Sequence, residues 1–215
     1  MPRKKSVNHG KIVEAAKKEF ERCGFKEASM RNIAAEAGMS ASGLYKHFPS
    51  KEEMFASLVE PVKAEFEREY RERERREYAE LGSGKPEISA EQTGGNRWAM
   101  EYIYDHLEEF RLLVIKSGGT MYENYIHDVA KLEETSTLAF ISELRKKGEA
   151  PIDLPRKEVH LLVTAQVNAV FEAVKHGFSK EEALHYADTL DGFFMPGWLH
   201  VMGVPAEVLQ ADVSA

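Results

Sequence analysis

Residues 29–51, SMRNIAAEAGMSASGLYKHFPSK, contain the pattern that decides the fold of the N-terminal part of this chain. Met30, Ile33, Ala34 and Ala37 recur at the spacing i, i+3, i+4 and i+7, which places them on one face of a helix. The stretch therefore predicts a short helix whose apolar face packs against a small core.

The boundaries of this helix, and of a second one after it, carry recognisable signals. We expect the Ser29 hydroxyl to accept a hydrogen bond from a first-turn N–H of the first helix. Gly38 follows the last apolar residue, where a helix end favours a positive φ. Ser40 stands at the capping position of the second helix, in which Leu44 and Phe48 share an apolar face. Two short helices joined by a glycine-containing turn predict a helix-turn-helix.

The outward face of the second helix combines small residues with donors and cations. Small side chains let a helix approach base edges closely, while Lys46, His47 and the Tyr45 hydroxyl can meet phosphate oxygens. Lys51 lies in the first turn of the next helix, where its ammonium and the free N–H groups can bind one phosphate. The candidates for DNA contact on the outward face are Ala41, Ser42, Gly43, Tyr45, Lys46 and His47.

The charge of the chain is divided unevenly along its length. The whole chain carries a formal charge of −7, yet residues 1–51 hold 11 Lys and Arg against five Asp and Glu, a balance of +6. The remaining residues hold 18 basic and 31 acidic side chains, a balance of −13. A basic head on an acidic body favours local attraction to phosphates while the body discourages indiscriminate binding.

Composition and periodicity predict an all-α, cytoplasmic protein. No run approaches the ~20 apolar residues of a membrane span, and no apolar signal region follows the basic N-terminus. The single Cys23 excludes an internal disulfide and fits a reducing compartment. Strand-like alternation is absent from the sequence. The first helices are too short to fold alone, so we expect them to share a core, made of Ile12, Ala16, Phe20, Ile33, Leu44 and Phe48.

The pattern of the C-terminal part of the chain predicts a series of longer helices. A loop is predicted at residues 81–96 from its Gly, Ser and Pro content. Trp98, Tyr102, His106 and Phe110 follow at i+4 steps and predict one face of one helix. Residues 157–176 and 181–202 are apolar over more than one face, so they must contact something besides their own core.

The stretch AGMSASGLYKHFPSKEEMF, residues 37–55, closely resembles the signature of the tetracycline-repressor (TetR) family of bacterial regulators. The preceding KIVEAAKKEFERCGF fits the first helix of that family, so the resemblance covers residues 11 to about 58. It implies an N-terminal three-helix DNA-binding domain, residues 1–55, and a larger helical ligand-binding and dimerisation domain, residues 56–215. It adds Ser29, Arg31 and Lys51 to the DNA-contact candidates.

The resemblance also implies a homodimer and an effector pocket. In that family the last two long helices of each subunit form an intersubunit four-helix bundle, for which the candidates here are Val163, Val167, Phe171, Leu190, Phe194 and Trp198. The pocket candidates are Trp98, Tyr102, His106, Tyr122, Tyr125, Gln166 and Asn168. An apolar or aromatic small molecule suits such a lining, although core packing alone also explains the aromatic stripe.

Together these features predict a ligand-released homodimeric repressor that binds a palindromic double-stranded operator. The alternative is a TetR-like helical module that binds small molecules or proteins without specific DNA binding. We expect no catalytic residues, metal site or cofactor, because the histidines are scattered and one cysteine cannot build a thiolate site.

Overall fold

The computed structural model describes residues 3–82, 95–146, 148 and 152–203. The described residues form helices and turns without a strand, so the predicted all-α fold is confirmed. Most of the loop predicted at residues 81–96 lies outside the described residues. The helices are α1 (Arg3–Glu27), α2 (Met30–Glu36), α3 (Ala41–Tyr45), α4 (Lys51–Gly82), α5 (Gly95–Asp105), α6 (Leu107–Arg111), a π-helical turn (Leu112–Lys116), α7 (Tyr125–Lys146), α8 (Arg156–Lys175) and α9 (Lys180–Met202).

The chain divides into two compact units, and each is described by itself. The first unit comprises Met1–Glu67 with His106–Tyr125, and the second comprises Arg68–Asp105 with Ile126–Ala215. These units group residues by packing, whereas the predicted boundary between residues 55 and 56 divides the chain by function. That functional boundary stays a prediction.

The core of the first unit is built from the apolar faces of α1 to α4. Phe20, Phe25 and Phe55 form an aromatic cluster in which Phe55 meets the other two rings edge-on, with centroids 5.1 and 5.5 Å away. Edge-to-face packing of this kind adds to the burial of apolar area. The six residues predicted to form this core are all buried, namely Ile12, Ala16, Phe20, Ile33, Leu44 and Phe48.

Helix α1 is broken at Gly24. Gly24 has φ 74° and ψ 170°, and helical hydrogen bonding then resumes as far as Glu27. This backbone conformation is accessible to glycine at no steric cost. The break turns the chain toward α2 and allows Phe25 to join the core.

The segment after His106 packs against α1 within the first unit. Lys17 of α1 lies 2.9 Å from the Glu108 carboxylate and also binds Glu109. Arg111 binds Glu21, and the π-helical turn lies against α1. The residues 106–125 therefore pack with the N-terminal helices, a grouping that helical periodicity did not predict.

One predicted helix is interrupted in the structure. Trp98, Tyr102, His106 and Phe110 were expected on one helical face, but His106 has φ −125° and ψ 36°, so α5 stops at Asp105 and α6 begins at Leu107. That prediction was wrong. The buried side of α5 is instead formed by Asn96, Met100, Ile103 and Tyr104.

The second unit has a core made mainly by α8 and α9, with α5 packed along α9. Helix α9 begins with a capping box, in which the Ser179 hydroxyl accepts from the Glu182 N–H and the Glu182 carboxylate accepts from the Ser179 N–H. This exchange satisfies two N–H groups that the helix cannot pair internally. Within the described residues, none of the helices has the length and apolar character needed to cross a membrane.

Candidate nucleic-acid interface

The turn between α2 and α3 is closed by Gly38. Its φ is 70°, as the sequence predicts for the residue after the helix. The Gly38 N–H donates to the Ala35 carbonyl at 3.1 Å, and the Met39 N–H donates to the Ala34 carbonyl at 2.9 Å. These bonds satisfy the last carbonyls of α2 and set the direction in which the chain enters α3.

Helix α3 starts at a serine cap, as predicted. The Ser40 hydroxyl accepts a hydrogen bond from the Gly43 N–H at 3.1 Å. A Cβ at position 43 would lie 3.3 Å from the Ser40 hydroxyl oxygen, closer than most real contacts of that kind. The absence of a side chain at Gly43 therefore leaves room for the Ser40 cap. This is a structural role for glycine at position 43, in addition to its predicted contact with DNA.

The two faces of α3 differ sharply in exposure. Leu44 is fully buried, and Phe48 just beyond the helix is buried with its ring stacked on His9 at 5.9 Å. Tyr45 is 49% exposed despite its aromatic ring. The rest of the predicted contact surface is exposed at Ser42, Lys46 and His47 and half-buried at Ala41 and Gly43. Donors and cations therefore line the solvent side of a helix anchored by two apolar side chains.

The N-terminus of α2 differs from the prediction in one respect. Arg31 is exposed in its first turn, where it remains a candidate contact. The Ser29 hydroxyl was expected to cap α2, but in the described chain it makes no such bond. The Glu19 carboxylate lies at the same end of α2, where its Oε1 accepts from the backbone N–H of Ser29 at 3.1 Å and from the side-chain amide of Asn32 at 3.0 Å.

Lys51 has partners inside the protein. Its ammonium donates to the carbonyls of Lys26 and Ala28 at 3.0 and 3.1 Å and lies 4.5 Å from the Phe25 ring centroid. These carbonyls belong to the junction between α1 and α2. Lys51 therefore lies against the backbone that joins α1 to α2. Its predicted phosphate contact stays a prediction.

Glu19 is the residue of this site that sequence reasoning missed. It is 8% exposed and lies on the buried side of α1 beside Phe20. Its Oε2 binds the Arg22 guanidinium at 2.7 Å. A signal was present, because an acidic residue within an apolar helical stripe must be paired when it is buried.

Three of the predicted pocket residues, His106, Tyr122 and Tyr125, belong to the first unit. Tyr122 and Tyr125 are buried there, and the Tyr122 hydroxyl donates to the Glu60 carboxylate at 2.8 Å. Burial raises the pKa of Tyr122, and the hydrogen bond to Glu60 raises it further, to about 12. Tyr122 is therefore a neutral donor at physiological pH.

The other four pocket candidates belong to the second unit. Gln166 accepts from the Trp198 indole N–H at 2.6 Å and donates to the Asn96 amide oxygen at 3.3 Å. Asn168 donates to the Thr164 carbonyl one turn earlier. Trp98 and Tyr102 are half-buried neighbours, and the Arg73 guanidinium lies over the Trp98 ring. The amide groups of Gln166 and Asn168 thus have partners within the second unit, and the predicted pocket stays a prediction.

Most of the predicted dimerisation residues are buried inside their own subunit. Val163, Val167, Phe171 and Leu190 are each at most 7% exposed, which leaves them little surface to bury against a second chain. Phe194 and Trp198 are half-buried. The large apolar side chains that α8 and α9 expose are Leu161, Leu162 and Phe193.

The described residues contain no cluster of three His, Cys, Asp or Glu side chains suited to a metal ion. The polar groups gathered around α2 and α3 are hydrogen-bond donors, cations and a buried structural carboxylate. Such an arrangement can bind an anionic polymer.

A short exposed helix followed directly by Lys46 and His47, joined to α2 by a glycine turn, is typical of a helix-turn-helix regulator, and comparison with known proteins supports this class. Residues 12–58 match the family described as bacterial regulatory proteins, tetR family. The TetR resemblance predicted for residues 11 to about 58 is confirmed. An uncharacterized HTH-type transcriptional regulator, YfiR, of Bacillus subtilis is 41% identical over 56 residues. That match covers 26% of this chain and 27% of the relative.

Solved structures share the fold over nearly the whole chain. A TetR-like regulator from Rhodococcus sp. RHA1 is 22% identical, with a TM-score of 0.54, and the match covers 92% of this chain and 99% of that one. The TetR family regulator PfmR from Thermus thermophilus is 20% identical, with a TM-score of 0.56 and coverage of 90% and 95%. The matched family and these proteins are transcriptional regulators rather than enzymes.

Proposed function

We propose that this protein is a cytoplasmic, homodimeric transcriptional regulator that binds a palindromic operator and is released from it by a small-molecule effector. The observation that carries the proposal is the outward face of α3. Tyr45, Lys46 and His47 are exposed there, on a helix whose opposite side is anchored by Leu44, in a head with a balance of +6.

Dimerisation is the second element of this proposal. A two-fold pair of heads would place its reading helices about one DNA turn apart, ~34–36 Å, and so read a palindrome. Leu161 and Phe193 are 66% and 74% exposed on the two helices to which the family resemblance assigns the dimer contact. Exposed apolar side chains of this size favour burial against a second copy.

Effector release would follow from differential affinity. An effector that binds one conformation of the dimer better than another shifts the population toward it, and DNA affinity falls by the ratio of the two affinities. Among the pocket candidates, Trp98 and Tyr102 offer aromatic surface, which suits an apolar or aromatic molecule.

The proposal is tested by selecting bound duplexes from fragmented genomic DNA with the purified full-length protein. We expect enrichment of one palindromic sequence, tight binding of that duplex at moderate salt, and weaker binding when the correct effector is added. A Lys46→Ala variant should bind the selected duplex more weakly, whereas Lys157→Ala, which removes the same charge from an exposed site in the second unit, should bind like the wild type.

Two results would contradict the proposal. Binding without any preference between the selected duplex and random duplex would favour the alternative, a helical interaction module without specific DNA binding. A chain that stays monomeric at micromolar concentration would exclude palindrome reading by a two-fold pair.

A further inference from the structure

The junction of α1 and α2, which here means the last two residues of α1 and the two that follow (26–29), is held from two sides by opposite charges. On one side the Glu19 carboxylate accepts from the Ser29 N–H at 3.1 Å. On the other side the Lys51 ammonium donates to the carbonyls of Lys26 and Ala28 at 3.0 and 3.1 Å. The junction thus finds an acceptor for an N–H group and a donor for two carbonyl groups in side chains of α1 and α4.

Glu19 also binds α2 directly. The same Oε1 that accepts from Ser29 accepts from the Asn32 side-chain amide at 3.0 Å, so a residue in the first turn of α2 is tied to α1. Oε2 is occupied by the Arg22 guanidinium at 2.7 Å. Burial raises the pKa of Glu19, but the hydrogen bonds from Arg22, Asn32 and Ser29 outweigh it and leave the pKa below its ordinary value. The carboxylate is therefore ionised at neutral pH.

We propose that Glu19 is a positioning residue for DNA reading, because its carboxylate ties the Ser29 N–H and the Asn32 side-chain amide to α1 and thereby fixes the orientation in which α2 and α3 leave α1. This inference rests on the proposed function of the head as a DNA-binding domain. Glu19 faces away from solvent, so it acts through the helices that it ties together. Preorganisation of this kind improves binding by removing the cost of ordering the reading helix on the duplex.

A positioning role and simple electrostatics predict opposite changes in DNA affinity when the Glu19 carboxylate is removed. Removing an acidic side chain from the head should strengthen attraction to phosphate. If Glu19 positions α2, its removal should weaken specific binding instead. Glu14 is the matched control, because it lies on the same helix, is 68% exposed and pairs with Lys18 at 3.0 Å.

The experiment compares full-length Glu19→Leu, Glu19→Gln, Glu14→Leu and Glu14→Gln on the selected duplex, at a temperature where all four are folded. We expect Glu19→Leu to bind at least about tenfold more weakly than the wild type. Glu19→Gln keeps one oxygen that can accept from the Ser29 N–H, so it should recover a part of that loss. Both Glu14 variants should bind as tightly as the wild type or slightly more tightly.

Amide hydrogen exchange of the free protein supplies a readout independent of DNA. The Ser29 N–H should exchange at least about tenfold faster in Glu19→Leu, less so in Glu19→Gln, and at the wild-type rate in both Glu14 variants. Unchanged Ser29 exchange in Glu19→Leu, or duplex affinity equal to that of Glu14→Leu, would overturn the positioning role. If Glu19→Leu does not fold, the same comparison is made between Glu19→Gln and Glu14→Gln. Failure of the wild type to prefer any duplex would instead overturn the proposed function and, with it, this inference.

Discussion

Two serines stand before neighbouring short helices, and they differ in what their hydroxyl groups do. Ser40 accepts a hydrogen bond from the Gly43 N–H, whereas the Ser29 hydroxyl makes no capping bond and the Ser29 backbone N–H donates to the Glu19 carboxylate. The serine hydroxyl at this position therefore caps α3 but does not cap α2.

This difference predicts unequal costs of alanine substitution. We expect Ser40→Ala to lower the free energy of unfolding by about 1 kcal/mol, the usual worth of an N-cap. Ser29→Ala should change it by less than about 0.5 kcal/mol, because a surface change away from such a feature has a small effect. Chemical denaturation of both variants measures the two values, and equal losses would show that the Ser29 hydroxyl caps α2 as the Ser40 hydroxyl caps α3.

Lys46 and Lys51 are both candidates for phosphate contact, but their surroundings differ. Lys46 is exposed on the outward face of α3, whereas Lys51 donates to two backbone carbonyls. We expect Lys46→Ala to weaken binding evenly across sequences and to reduce the slope of log affinity against log salt by about 0.9, the value for one phosphate. We expect Lys51→Ala to shallow the slope similarly and also to lower thermal stability.

Titration of a fluorescent duplex at several salt concentrations, together with thermal unfolding, separates these roles. An unchanged salt slope in Lys51→Ala with a clear loss of stability would show that Lys51 acts on the junction rather than on DNA. An unchanged slope in Lys46→Ala would remove Lys46 from the set of phosphate contacts.

At the scale of the element, the two glycines of helix α1 differ in backbone conformation and in what an added side chain would cost. Gly24 has φ 74° and ψ 170°, a region that side chains disfavour. Gly10 lies in the regular part of the helix, and a Cβ there would meet nothing within 4 Å. Glycine is therefore required at one position and merely tolerated at the other.

Alanine substitutions at these two positions should have opposite signs. We expect Gly10→Ala to stabilise the protein by about 0.5 kcal/mol, because alanine has the higher helix propensity. Gly24→Ala should destabilise it by about 1–3 kcal/mol through backbone strain. Unfolding midpoints of the two variants measure both effects, and a neutral Gly24→Ala would show that the backbone relaxes without cost.

The elements also show where periodicity succeeds and where it fails. The stretch 29–51 was predicted in detail because short-range signals, namely the apolar spacing, Gly38 and Ser40, agree with one another. The stretch from Trp98 to Phe110 was misread because an i+4 series says nothing about the backbone at His106. Gln166 stays a pocket candidate, and its partners Asn96 and Trp198, which come from distant positions in the chain, could not be read from periodicity.

At the scale of the whole molecule, the proposed dimer requires an apolar surface that is not already buried within one subunit. Residues chosen for their apolar character, such as Val163 and Phe171, are buried within the subunit. A periodic pattern identifies apolar helices but does not distinguish the face that packs inside a subunit from the face that packs between subunits. The exposed Leu161 and Phe193 are the side chains with surface left to bury.

We therefore expect Phe193→Glu to weaken the proposed dimer by at least about tenfold, because association would bury an unpaired charge. Met121→Glu is the matched control, since Met121 is 83% exposed in the first unit and lies outside the proposed dimer surface. Sedimentation equilibrium measures both variants, and operator affinity should fall with the dimer. If the Phe193→Glu protein remains as dimeric as the wild type, Phe193 does not lie in the dimer contact.

The sequence by itself determined the all-α class, the helix-turn-helix, its core and its cationic outward face, because each depends on residues within a few turns of one another. The tertiary structure decided that Glu19 ties Ser29 and Asn32 to α1, that Lys51 supports the junction, and that residues 106–125 pack with the N-terminal helices. It also decided which apolar residues of α8 and α9 are buried. These features depend on contacts between residues far apart in the chain, and local periodicity carries no information about such contacts.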